Sequence, residues 1–338
     1  MQNVLVTGGA GFIGSHLVDL LLGTGANVVV LDLLTYAGNL DNLAEASVSS
    51  QYKFVRGDIC DTELVKHLLS EHNIDTVFHL AAESHVDNSI ANPGKFIETN
   101  VNGTFSMLYA GLQYWEGRGK QDNFRFIHVS TDEVFGQLQM HEPAFNEDTP
   151  YKPNSPYSAS KAASDLIVRS WYHTYKFPAI ITNCSNNFGS RQHNEKLIPT
   201  VVRTALAGKS IPIYGTGNNV RDWLYVKDHC QGLMQAGLYG KVGENYCFGG
   251  KNELQNNDLV MMICRILDQI KPNINCLYSK SIVHVEDRKG HDFRYAIDPR
   301  KAQTELAWNY SANFTDDLYA TIKHYVVFNS IVKETHVL

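Results

Sequence analysis

Proline is scarce in this chain, 10 residues in 338, and no run of proline, glycine or serine forms a low-complexity segment. A collagen-like or linker-dominated architecture, which needs roughly a quarter of the residues as Pro and Gly, is excluded. No stretch approaches the ~18 uninterrupted apolar residues of a membrane span. Basic residues are in deficit, with Lys plus Arg at 29 against Asp plus Glu at 35 and a net charge of −6. A nucleic-acid partner leaves a basic footprint, so that class is disfavoured, while a local basic site for one phosphate ligand stays open. The six cysteines (Cys60, Cys184, Cys230, Cys247, Cys264 and Cys276) lie far apart without a Cys-x-x-Cys pair. They read as reduced thiols rather than a disulfide framework or a zinc site, and no ligand cluster suits a metal. Met1-Gln2 runs straight into a strand-like Val4-Leu5-Val6 with no leader-like pattern, so a cytoplasmic protein is expected.

What the chain does have is 43% apolar residues, enough for a large core, at a length that fits two domains or one large α/β unit with an extension. Its first half alternates short β-branched runs (4–7, 28–32, 54–57, 76–80, 126–130) with amphipathic stretches (12–22, 62–71, 93–114). Near-continuous apolar strands separated by helices predict a doubly wound parallel sheet, covered on both faces and Rossmann-like. A long helix is expected over 154–175 and a further strand over 179–183. After about residue 185 the loops grow longer and richer in Asn and Gly, with helices at 197–207, 258–270 and 314–328. The reading is therefore a first domain over 1–185, a smaller mixed α/β lobe over 186–330 with possible crossing between lobes, and a tail at 331–338.

The first turn carries Thr7-Gly8-Gly9-Ala10-Gly11-Phe12-Ile13-Gly14, between a strand and a helix. Glycines 9, 11 and 14 fit the dinucleotide fingerprint, and glycines 8, 11 and 14 fit a three-residue spacing. A tight turn needs positive φ, and a pyrophosphate must reach bare N–H groups at a helix N-terminus. Asp32 ends the second strand, where a carboxylate accepts from both ribose hydroxyls and repels a 2′-phosphate, so NAD is favoured over NADP. Asp58 ends the third strand, placed either for an adenine edge or as a helix cap.

Tyr157 and Lys161 form Tyr-x-x-x-Lys on the long helix, on one face and ~6 Å apart. An ammonium there is expected to lower the tyrosine pKa, making Tyr157 a base toward an alcohol. Upstream, Ser130-Thr131-Asp132-Glu133 falls at the carboxyl end of a strand, where ligands bind in doubly wound sheets. Thr131 suits the hydroxyl that Tyr157 deprotonates. A dehydrogenase or epimerase needs no more than this, so the Asp132–Glu133 pair is surplus. Either it is a solvated loop, or the two carboxyls divide acid and base roles.

These motifs together resemble the NAD-dependent extended short-chain dehydrogenase/reductase family, and within it the dTDP-glucose 4,6-dehydratases. The resemblance extends over roughly 1–325, through 34–39, 81–87, 131–134, 195–199, 221–223 and 287–292. It implies a redox-neutral reaction on the nucleotide sugar dTDP-glucose. The sugar is oxidised at C4, water is eliminated across C5 and C6 with Glu133 as base and Asp132 as acid, and hydride returns to C6. It also implies that Gly8, Gly11, Phe12, Ile13, Gly14, Asp32, Leu33, Leu34, Thr35, Asp58, Ile59, Leu80, Ala81, Ala82, Glu83, Ser84, Thr99 and Asn187 contact NAD along with Tyr157 and Lys161. The nucleotide sugar would meet Ser84, Thr131, Asn186, Lys196, Leu197, Pro212, Ile213, Tyr214, Arg221, Asn256, Asp287, Arg288 and His291. A homodimer through helices of the first domain is implied as well. Asn88, Phe135, Asn183, Phe188 and Lys289 depart from the family pattern. A UDP-sugar dehydratase, a 4-epimerase, a decarboxylase or a catalytically silent NAD-binding protein are the alternatives. An epimerase would leave Asp132-Glu133 idle, and a silent protein would be expected to lose Tyr157 or Lys161.

Overall fold

The computed structural model describes residues 1–120 and 123–335. Along the chain the strands are β1 (Asn3–Thr7), β2 (Asn27–Asp32), β3 (Tyr52–Arg56), β4 (Thr76–His79), β5 (Arg125–Thr131) and β6 (Ala179–Cys184). They continue with β7 (Asn186–Phe188), β8 (Ile211–Tyr214), β9 (Val220–Tyr225), β10 (Asn245–Phe248), β11 (Glu253–Gln255) and β12 (Ile282–Val285). Seven of them form one sheet in the order β10-β6-β5-β4-β1-β2-β3. Every pairing in it is parallel. The chain winds outward from β1 to β3, then returns to the other side of β1 with β4. The strand order therefore reverses between β1 and β4, and a crevice opens there at the carboxyl ends.

Helices cover both faces, which is why the strands are apolar on both sides. Val4, Val6, Val28 and Val30 pack with Leu17 and Leu21 of the helix Phe12–Gly23 on one face. Leu5, Val29, Leu31, Val77 and Phe126 pack with Val65, Leu69 and Leu108 on the other. Each such side chain contributes ~1.5–3 kcal/mol on burial. The expected helix over 93–114 is broken into Pro93–Phe96, a π-helical turn Ile97–Asn102 and Gly103–Gly117. The widened turn lets Asn100 clamp the backbone of Glu83, accepting from its N–H at 2.8 Å and donating to its C=O at 3.0 Å.

The second lobe has its own core around Ile198, Val201, Ile263, Leu267 and Ile322. Two small sheets, β11-β9-β7 and β12-β8, complete it. From the later part of the chain, β10 adds to the central sheet beside β6, and Leu233, Ala236, Leu306 and Trp308 pack in the core of that sheet. The helix Phe314–Thr335 continues through 331–335, where a tail was expected, and 336–338 lie outside the described residues. No helix among the described residues is long and apolar enough to cross a membrane.

Candidate active site

The crevice at the strand reversal is a cleft of about 340 Å³. One wall is the glycine turn. Gly8 sits at φ +70, and a Cβ there would come within 2.7 Å of the Ala81 nitrogen. A Cβ on Gly14 would lie 2.2 Å from the Gly8 carbonyl oxygen. Both positions thus exclude any side chain. Gly11 caps the helix Phe12–Gly23 without a side-chain hydrogen bond, and no acidic residue occupies its first turn, so the N-terminal N–H groups stay available to an anion. Gly9 differs from the fingerprint reading. Its missing Cβ makes room for Val30 rather than for a ligand.

Asp32 closes the far end of this wall. Its two oxygens accept from Ala10 N at 3.0 Å and Leu34 N at 2.8 Å, which fixes the carboxylate rim while leaving lone pairs for a ligand. Burial raises its pKa, and the two backbone donors oppose that rise. Asp58 lines the cleft while accepting from Cys60 N at 2.8 Å, so it serves a local turn and the site together. Phe12, Ile13, Leu33, Thr35, Ile59, Leu80, Ala81, Ala82, Glu83, Ser84, Thr99, Asn186 and Asn187 also line it. Leu34 does not. It packs against the first-lobe core and contributes its backbone N–H.

The floor is built by β5 and the helix Pro156–Tyr175. That helix starts where it does because Ser155 and Ser158 form a reciprocal cap with Pro156 behind them, and it ends at left-handed Lys176. Tyr157 and Lys161 share its cleft-facing side. Thr131 faces Tyr157 and favours its phenolate, while its hydroxyl donates to Asp132 Oδ1 at 3.3 Å. Lys161 is buried and donates to Val129 O at 2.9 Å.

The expected lowering of the Tyr157 pKa does not hold in this state. Burial and the charges of Glu133, Cys184 and Asp132 raise it well above 10, and only the Thr131 bond opposes them. Burial is the largest cause, and the acidic pair facing the same phenol adds to it.

Asp132 is 2% exposed, and its Oδ2 has no hydrogen-bond partner. Burial, Glu133 and Asp222 raise its pKa well above 3.8, with Arg221 opposing. Glu133 is less enclosed. Burial raises it too, but Lys196, Arg221 and Arg288 pull it back. One carboxyl is thus driven toward the acid form while its neighbour faces three cations.

Those cations come from the second lobe. Lys196 lines the cleft and donates to Ser84 O at 3.3 Å. Arg221 stacks 4.3 Å from the Tyr295 ring and donates to Asp292 O at 2.9 Å. Arg288 lies 4.9 Å from the Tyr214 ring and 3.6 Å from Asp87, and its buried Nε has no hydrogen-bond partner. Asp287 and His291 pair at 2.6 Å beside it. Asn256 is buried at a helix start, bonded to Asn219. Leu197 and Ile213 turn into the second-lobe core, and Pro212 pairs with Val283 in β8.

Sequence reading passed over Cys184, Ser185, Gln192, His193 and Lys95 and gave Gly38, Ser130 and Glu195 only as members of longer runs, and all of these line the cleft. Gly38 had its signal in the 34–39 run, and a Cβ there would press on Asp32 Oδ1 at 2.9 Å. Cys184 also had one, ending the strand next to β5. Of the departures, Phe135 meets Phe145 tilted and Tyr151 edge-on, and Phe188 packs on Phe314, Tyr225 and Trp223, both within apolar clusters. Asn183 donates to Thr131 O at 3.1 Å. The Asn88 N–H donates to His85 Nδ1, and Lys289 is exposed.

Comparison with known proteins meets this geometry. The family model described as GDP-mannose 4,6 dehydratase matches residues 5–321. The chain belongs to that family. It is 48% identical over 336 residues to the dTDP-glucose 4,6-dehydratase of Salmonella typhimurium, covering 96% of this chain and 93% of that one. DesIV, the dTDP-glucose 4,6-dehydratase of Streptomyces venezuelae, solved with NAD bound, superposes with a TM-score of 0.87 at 43% identity, covering 96% of this chain and 97% of it. The UDP-glucose 4-epimerase of Thermotoga maritima superposes with a TM-score of 0.85 at 28% identity, covering 97% and 99%. The fold is thus common to both chemistries, and the difference between them must lie in side chains.

Proposed function

We propose that this protein is an NAD-dependent hydro-lyase that converts dTDP-glucose to dTDP-4-dehydro-6-deoxyglucose. The observation that carries the reading is the buried Asp132 beside Glu133 at the cleft floor, two carboxyls in unlike surroundings next to Tyr157, the second of them facing three cations. The residues fit the cofactor. Gly8 and Gly14 leave a cradle that any Cβ would fill, and Asp32 presents a fixed carboxylate rim. NAD, when bound, supplies a hydride acceptor for the sugar C4 and later a hydride donor for C6.

Tyr157 takes the C4 hydroxyl proton, oriented by Thr131, with the Lys161 ammonium as the cation on its own helix face. The C4 ketone acidifies the C5 proton, which Glu133 removes. Asp132, kept as the acid by its surroundings, gives its proton to the C6 hydroxyl, which leaves as water. C5 is then reprotonated. Lys196, Arg221 and Arg288 supply the positive charge for the diphosphate, with Arg288 Nε held 3.6 Å from Asp87 and making no hydrogen bond within the chain. Ser84, Asn186, Tyr214, Asn256, Asp287 and His291 surround the remainder of the nucleotide sugar, with Leu197, Pro212 and Ile213 backing that surface from the second-lobe core.

The first lobe is read as the NAD domain and the second as the sugar-nucleotide lobe. A homodimer through the first-lobe helices is supported by Ile97, Phe105, Tyr109 and Leu166, which stay 41–57% exposed there. Free cysteines throughout suit a cytoplasmic enzyme.

The test is dTDP-glucose deuterated at C4. The product should weigh one water less and carry the label at C6. Recovery of a C4 epimer, or complete loss of label to solvent, refutes the reading.

A further inference from the structure

Asp165 is a buried carboxylate that the reaction above does not use. It lies on the Pro156–Tyr175 helix one turn beyond Lys161 and is 1% exposed. Its Oδ1 accepts from His128 Nε2 at 3.0 Å. Its Oδ2 accepts from Ser130 Oγ at 2.7 Å, Tyr151 OH at 2.9 Å and Asn183 Nδ2 at 3.5 Å. All four neighbours donate. An amide could not replace it without turning an N–H₂ toward a donor, so the pocket is built for an acceptor-only, ionised group.

None of those donors carries charge. Burial and Lys161 push His128 down to about 4, so it is neutral near pH 7. Lys161 is equally dry. Burial lowers its pKa, and Asp165 is the leading opposing influence, with Cys184 behind it. Other groups facing Lys161 are His128 and His79, both held neutral by burial, and Tyr157 on its own helix.

We propose that Asp165 is a positioning residue for the acid–base machinery. It supplies the countercharge that keeps Lys161 an ammonium, and it pins the catalytic helix to β5 and β6 so that Tyr157 meets Thr131. A buried cation without a counterion tends to lose its proton, and an anion one helical turn away prevents this. The fourfold clamp also ties the helix to Ser130 and His128 of β5 and to Asn183 of β6. The inference rests on the reading of Tyr157 and Lys161 as base and cation in the first oxidation.

The experiment uses full-length protein carrying Glu133→Gln, which stops the reaction after C4 oxidation so that reduced cofactor accumulates and is read by its near-ultraviolet absorbance. The rate is followed against pH. Removing the anion lowers the Lys161 pKa, so Asp165→Asn should move the alkaline limb to lower pH by at least about one unit. Tyr151→Phe removes a hydrogen bond but keeps the charge, and should leave the limb in place. An unmoved limb in folded Asp165→Asn protein overturns the proposal, as a merely structural role would lower the rate at every pH alike. If Asp165→Asn does not fold, the same pH series on Asp165→Ser, whose hydroxyl still accepts a hydrogen bond but carries no charge, takes its place: a limb moved down by at least about one unit upholds the idea, and an unmoved limb refutes it. Tyr157→Phe in the same background separates the two levels. Undiminished cofactor reduction there removes the base assignment itself, whereas an inactive Tyr157→Phe beside an unmoved Asp165→Asn limb removes only this inference.

Discussion

Asp132→Asn is the most direct probe of how the two carboxyls divide the work. The amide has the shape of a protonated carboxyl, and the site around it is closed, at 2% exposure. Oδ1 keeps its place 3.3 Å from Thr131 Oγ1, and Oδ2 had no partner to lose. If Asp132 is the neutral acid, one uncharged group replaces another, and stability should change by less than about 1 kcal/mol. If it were ionised beside Glu133 and Asp222, removing a buried charge would stabilise the fold by several kcal/mol. Chemistry should respond differently. A positioned general acid contributes about 10²–10⁴ in rate, so elimination should slow by that factor, about 3–5 kcal/mol of barrier. The first oxidation does not need this proton and should hold within about tenfold. Rapid-quench mass spectrometry of the sugar, beside the absorbance of the reduced cofactor, resolves the two steps. Urea unfolding supplies the stability term of the comparison. Elimination reduced less than tenfold in a folded variant, or oxidation falling in parallel with it, would refute the division of roles.

Three other outcomes are expected. Gly14→Ala should weaken NAD binding by at least about a hundredfold in calorimetry, because a Cβ 2.2 Å from the Gly8 carbonyl must displace the turn and its N–H donors; near-normal affinity would show that the turn does not hold the pyrophosphate. Asp32→Ser should narrow the preference for NAD over NADP by at least about tenfold in a binding assay, since it removes the charge that repels a 2′-phosphate. Acid should destabilise the fold through buried neutral histidines. Burial lowers His16 and His128 to about 4 and His229 to about 3. Below the unfolded value of 6.5 the unfolded chain binds the extra protons, so each histidine removes about 2 kcal/mol of stability between pH 7.5 and 5. Asp222, raised to about 6 by burial, works in the opposite direction as pH falls through that value. Urea midpoints that stay flat from pH 7.5 to 5 would contradict the histidine assignment.

The alternation of apolar strands with amphipathic helices, the glycine turn, Asp32 and Tyr-x-x-x-Lys were legible in the chain because each is a local pattern. A positive-φ turn needs glycine within a few residues of itself, and a helix face repeats every few positions. By that logic the strand ends at 32, 58 and 131 already marked where a ligand would sit, and all three line the cleft. What the sequence could not state is which groups share space across long separations. Asp132 is driven toward its acid form partly by Asp222, ninety positions away, and Glu133 meets cations from 196, 221 and 288. Tyr157 went against the local expectation for the same reason: its helix neighbour Lys161 is four residues off, but burial and the carboxyls of the turn that follows β5 outweigh it. The return of β10 to the first sheet and the turning of Leu197 and Ile213 into the core are likewise long-range outcomes. Periodicity, glycine and strand ends are set by neighbours along the chain and so are written in it. Protonation states and lobe membership depend on desolvation and on charges that only folding brings within a few ångströms.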